Sequence, residues 1–227
     1  MKTIDLTKLT LAAAAALTAM LSITTSANAA TFGTTGISFE EDTTVNFTFL
    51  KSQGAAISSL GIYNANQVLL KSLFTKANTA DAGYQGNSYG TNSWLGTATN
   101  LVGSATASFT FLANQVYSLG LSSTLWGSTI PTVFSTSSQN GGSQQVVFNS
   151  TGGSEGVSYD SAGSQTSASP FGAPVAISFE DTLGGDGDYN DFTVSAQAVP
   201  EPITMAGMAL GAGGMAIARR RRNRKTA

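Results

Sequence analysis

The chain has 227 residues, a formal net charge of −2, no cysteine and no histidine. Without histidine there is no Ser-His-Asp or Cys-His nucleophile pair and no ordinary zinc site, and without cysteine there is no disulfide. The charge is unevenly placed: residues 30–198 hold three lysines (Lys51, Lys71, Lys76), no arginine and eleven acids, a net −8, which excludes nucleic acid and anionic lipid as partners of that part, because both are bound through Lys and Arg.

Residues 1–29 read as a signal peptide. Lys2 and Lys8 form a positive n-region, Leu9 to Ile23 an apolar run, and Ala27-Asn28-Ala29 an A-x-A cleavage site, with the cut expected after Ala29. The alternative is an anchor that is never removed.

The next 170 or so residues are enough for one domain with a real core. Period two dominates them. Val45, Phe47 and Phe49 alternate with Thr44, Asn46 and Thr48, and Leu60 and Ile62 alternate with Ser59 and Gly61. The same holds for Phe109 and Phe111, for Tyr117, Leu119 and Leu121, for Val175, Ile177 and Phe179, and for Phe192, Val194 and Ala196. One apolar face and one small polar face is the pattern of antiparallel strands that bury one side. Val146 to Phe148 adds a short strand, and Gln67 to Lys76 reads as a strand rather than a short helix. Residues 80–100 and 149–174, rich in Gly, Ser, Thr and Asn, read as loops. The expectation is a mostly β, single antiparallel β-sandwich, jelly-roll-like.

Tyr84, Tyr89 and Trp94 fall in the first of these loops, and Trp126 follows the strand at Tyr117–Leu121. Such rings offer flat faces to sugars, or they plug the loop onto the sandwich. Ile37-Ser38-Phe39-Glu40-Glu41-Asp42 is echoed by Ile177-Ser178-Phe179-Glu180-Asp181. If these first and last strands are neighbours, their carboxylates crowd one edge. Acids are the only catalytic groups on offer, with Glu40, Glu41, Glu155 and Glu180 as candidates for glycoside hydrolysis, but nothing fixes two of them at a productive spacing. The expectation is a protein that is not an enzyme.

The densest chemistry lies in Phe179-Glu180-Asp181-Thr182-Leu183-Gly184-Gly185-Asp186-Gly187-Asp188-Tyr189-Asn190-Asp191-Phe192. Asp186, Asp188 and Asn190 alternate, and Asp191, Glu180 and Asp181 complete an oxygen-rich set suited to Ca²⁺, which takes 6–8 oxygens at about 2.3–2.6 Å. The segment is not an EF-hand, since the sixth and twelfth positions are Asp191 and Gln197 and strands flank it. Asp, Asn and Gly are also plain turn formers, able to pin a hairpin through local N–H groups. The segment is similar to the signature hairpin of a secreted bacterial domain family of unknown function.

The tail runs Val199-Pro200-Glu201-Pro202, then an apolar stretch at 203–218, then Arg219, Arg220, Arg221, Arg222 and the basic residues to 225. The prolines hold the chain extended. The apolar stretch, as a helix, is ~24 Å long, a short membrane span, and the basic end stays cytoplasmic. This tail resembles the PEP-CTERM sorting signal. The resemblance implies an exosortase-like membrane enzyme as partner, export to the cell surface or matrix, and a role in exopolysaccharide or biofilm. The acidic hairpin sits so close to the tail that a slack linker is expected between them.

Overall fold

The computed structural model describes residues 30–85, 93–154 and 156–199. The segment expected as a signal peptide, with Ala27 and Ala29, together with Tyr89, Glu155 and the tail from Pro200 onward, with its 203–218 stretch and Arg219 to Arg222, lies outside the described residues. Among the described residues no helix is long and apolar enough to cross a membrane.

The chain forms β1 (Ala30–Gly33), β2 (Gly36–Phe39), β3 (Thr43–Lys51), β4 (Ile57–Asn64), β5 (Leu69–Thr75), β6 (Thr106–Phe111), β7 (Tyr117–Leu125), β8 (Ser128–Phe134), β9 (Val146–Phe148), β10 (Val175–Phe179) and β11 (Phe192–Ala198). Among the described residues the only helical pieces are short 3₁₀ turns, Ala98–Asn100, Ser137–Asn140 and Ala162–Ser164. One sheet has the order β1-β2-β7-β4-β5, with β8 also paired to β7, and the other has the order β6-β3-β11-β10-β9. Every strand pair in both is antiparallel.

The alternation is realised as expected. Val45, Phe47 and Phe49 of β3 are buried, and the residues between them face outward. The inward faces of both sheets contribute to one hydrophobic core, which contains Phe32, Phe47, Phe111, Phe148, Phe179 and Phe192. Its phenylalanines touch edge to face: Phe49 and Phe192 have centroids 5.1 Å apart at 64°, and Phe32 and Phe148 are 5.9 Å apart at 78°. That geometry places the positive ring edge against a negative face.

Two strands escape a reading by alternation. β1 is only four residues long. β8 contains Pro131, and its pairing with β7 slips between Leu121 and Ser123, where Pro131 and Thr132 stand opposite Ser122 without a partner in the register. Proline has no N–H to give the ladder, so it sits in that irregularity. The echoed segments do not pair. β2 lies in the first sheet beside β1 and β7, while β10 lies in the second beside β9 and β11. Their inward apolar residues are alike because both strands line the same core, not because they are neighbours.

The fold has two ends. At one, Ala30 faces Phe39, Asn114 N–H donates to Phe39 O (2.8 Å), and Val199 N–H donates to Thr44 O (2.8 Å). Glu40, Glu41 and Asp42 belong to this end. At the other, β10 runs out at Phe179, β11 begins at Phe192, and Gln53 N–H donates to Asp191 O (3.3 Å). β11 is seven residues long, so its two ends stand ~20 Å apart. We expect Phe47→Ala, which empties a fully buried position, to lower unfolding free energy by about 3–5 kcal/mol in urea titrations followed by circular dichroism.

Candidate metal centre

The connection from Phe179 to Phe192 folds into a compact acidic knot because its glycines allow what side chains would block. Gly184 and Gly187 have φ of 74° and 77°, the left-handed region that glycine enters freely. A Cβ at Gly185 would run into Glu180 Oε1. From the neighbouring loop, a Cβ at Gly54 would collide with Asp191 Oδ1 and lie 2.7 Å from Asp181 Oδ2.

Within this knot one carboxylate oxygen each from Glu180, Asp188 and Asp191 lies within 4.8 Å of the other two. Glu180 and Asp188 are buried and Asp191 is half-buried. Asn190 is fully buried against Asp188. Its backbone N–H donates to Asp188 Oδ1 (3.1 Å) and its side-chain amide to Asp188 Oδ2 (2.9 Å), while its own Oδ1 has no hydrogen-bond partner. Asp188 also accepts from Gly156 N–H at 2.7 Å, and Gly153 N–H donates to Asp188 O at 2.6 Å. These bonds draw the 150–160 loop over the site.

The six residues expected as ligands therefore divide. Glu180, Asp188 and Asp191 converge, with Asn190 alongside. Asp181 is buried but turned toward Gly54; its Oδ1 accepts from Thr182 Oγ1 (2.7 Å) and its N–H donates to Asp191 Oδ2 (2.9 Å). Asp186 is exposed at the turn, beside Glu180. Glu40 and Glu41 stand at the opposite end of the fold and share no site with Glu180. The slack linker is not there: β11 is a central strand of its sheet, and the knot stands at the end of it remote from the tail.

Sequence reading missed the cation of this end. Lys76 follows β5 and is 2 % exposed, and its Nζ donates to Ala56 O (2.7 Å) and Gly54 O (3.1 Å). Burial depresses its ammonium to about 8 against the opposing pull of Asp181, Asp191 and Asp81. Burial likewise pushes Glu180 up to about 8, with repulsion from Asp186 and Asp188 adding to it. Asp191 is driven well above the ordinary carboxylate range by burial, then by Asp181 and Glu180. Asp181 and Asp188 are also raised, in each case chiefly by burial. One buried lysine thus acts on Asp181 and Asp191, at an end of the fold where those two, Glu180 and Asp188 each resist ionisation.

The donor set fits a hard divalent cation. Oxygens around one Ca²⁺ at about 2.4 Å stand no more than about 5 Å apart, and the three carboxylates meet that limit. Asn190 Oδ1 is a further neutral oxygen with an unspent lone pair.

The aromatic residues are gathered differently than their loop position implied. Trp94 is half-buried, and its N–H donates to Tyr84 O (3.0 Å). Its ring meets that of Trp126 from the β7–β8 turn at 6.0 Å and 78°.

Where β11 ends, a known signature begins. The family model of the PEP-CTERM protein-sorting motif matches residues 198–222. The chain is a PEP-CTERM-containing protein, and the motif implies an exported, envelope-associated product recognised by exosortase, a membrane sorting enzyme. No curated protein and no solved structure matches the chain.

A proton-linked prediction follows from the raised carboxylates. In metal-free buffer the folded state keeps a proton on Glu180 up to about 8, whereas the unfolded chain releases it near ~4.3. The folded state then binds more protons across that window, so stability is greatest below it and is lost as pH rises through the folded value. Calorimetry in EGTA should show Tm falling from about pH 5 to about pH 8, and Glu180→Gln should flatten the slope. A rising Tm over that range would contradict this assignment.

Proposed function

We propose that this protein is a non-enzymatic structural or adhesive component of the cell envelope or extracellular matrix, working alongside exopolysaccharide and biofilm material. Its domain is a jelly-roll-like sandwich whose far end is tied together by Ca²⁺. The 203–218 stretch anchors the precursor in the membrane transiently, until the sorting enzyme acts.

The observation that supports this most is the seat of the motif on β11. The matched residues start at Ala198, the last residue of a central strand, and Val199 is still hydrogen-bonded to the fold. The acidic end is therefore the end of the domain remote from the motif. Such an end meets the medium, where Ca²⁺ is available. Glu180, Asp188, Asp191 and Asn190 would hold the ion, and it would offset the repulsion among these carboxylates.

Two measurements test this reading. Calcium at about 1 mM should raise Tm above the value in excess chelator, most strongly at pH 8, where metal no longer competes with protons for the raised carboxylates. Asp188→Asn should abolish the difference; equal melting in both buffers for the wild-type protein would remove the metal from the proposal. For the role itself, a strain lacking the gene should lose matrix cohesion or attachment, and unchanged matrix, aggregation and attachment would remove the structural assignment.

A further inference from the structure

The two tryptophans of this chain are far apart in sequence and meet in space. They are the only ones it has. Trp126 forms the tip of the β7–β8 hairpin with Gly127, between the paired residues Leu125 and Ser128. Their φ angles of 52° and 80° are those of a two-residue turn that normally takes Asn, Asp or Gly. A bulky indole there is a genuine backbone outlier, and Trp94, also at φ 52°, is a second. Such strain persists only where the surrounding structure enforces it, and it clusters where proteins bind.

The strain is not relieved by burial. Trp126 is 75 % exposed, although tryptophan is highly buried on average. Trp94 stands nearly perpendicular to it, so the two rings make an open right-angled corner. Ile57, 39 % exposed, pairs with Thr124 two residues before the turn and is a further exposed apolar residue at this end of the sheet.

Position narrows the occupant. The loop carrying Trp94 is pinned to the end of β3 by the Ser52–Gly96 bridge, next to the Gly54 segment that touches Asp181 and Asp191. The corner therefore belongs to the end of the fold remote from Val199 and the membrane-directed motif. Indoles can also anchor a protein at a lipid interface, but this corner lies at the end of the fold remote from Val199, after which the sorting motif runs on. The net −8 of residues 30–198 disfavours polyanions. What remains is an uncharged ligand with flat apolar faces and polar edges.

We propose that Trp94 and Trp126 form a binding corner for the pyranose rings of a neutral polysaccharide. One ring stacks on the exposed face of Trp126 while Trp94 closes its side. The inference uses the envelope address of the protein and is independent of the calcium assignment.

The test uses the purified mature chain in calcium-containing buffer, with insoluble β-1,4-glucan, chitin and neutral dextran resin as probes, and lipid vesicles as the competing surface. Retention on at least one polysaccharide is expected. Trp126→Ala should reduce it about tenfold while leaving the urea midpoint in place, since the side chain is exposed. Tryptophan fluorescence, excited apart from that of the tyrosines, comes from this corner alone and should shift to shorter wavelength with soluble oligosaccharide. The proposal is overturned by retention on none of the three probes, by Trp126→Ala binding as the wild type does, or by binding to vesicles and not to glycan. The ratio of wild type to variant does not depend on the metal, so failure here and failure of the calcium reading are separable.

Discussion

Strand β11 is the constraint on which the arrangement of this molecule depends. It is bonded on both sides, to β3 and to β10, so it can neither slide nor peel without cost to the whole sheet. Asp191 stands immediately before it, and the sorting motif starts at its last residue. A single rigid element therefore fixes the distance between the chemistry of the domain and the device that addresses it. Proximity in sequence has become separation in space.

The electrostatics of the far end follow from the same strand pair. β10 and β11 carry large apolar residues up to their last rung, Phe179 facing Phe192. The acids beyond that rung are held against a dry core rather than in water. Desolvation is accordingly the first cause of the shift at each of Glu180, Asp181, Asp188 and Asp191, with mutual repulsion behind it. Lys76 answers part of the charge, but its ammonium is occupied with two carbonyls. The local hydrogen bonds of Asp188 and Asn190 show that turn pinning and ion binding are not exclusive: the same carboxylate fastens the 150–160 loop and contributes an oxygen to the cluster.

Much of the fold was readable because its strands bury one face each. Phe47, Leu60, Phe179 and Val194 announce their orientation through their neighbours, and the 179–192 segment announces itself through Gly and Asp. The remainder depended on contacts between distant parts of the chain. Nothing local to Lys76 shows that Gly54 and Ala56 will receive its ammonium, and nothing local to Trp126 shows that Trp94 will reach it. β8 was obscured by its own proline. The echo between Ile37-Ser38-Phe39 and Ile177-Ser178-Phe179 misled for a physical reason: two strands in opposite layers meet the same core and so need the same apolar spacing. Of the six residues read as ligands, three converge and a fourth stands beside them; whether Asp181 turns inward or toward Gly54 is decided by a loop from another part of the chain.

The hydrogen bond from Val199 to Thr44 has one more consequence. It carries the fold as far as Val199, the residue before the first proline of the tail. The sandwich is thus closed up to the residue that precedes the Pro-Glu-Pro, and the indole corner and the acidic knot lie at its other end on every copy alike.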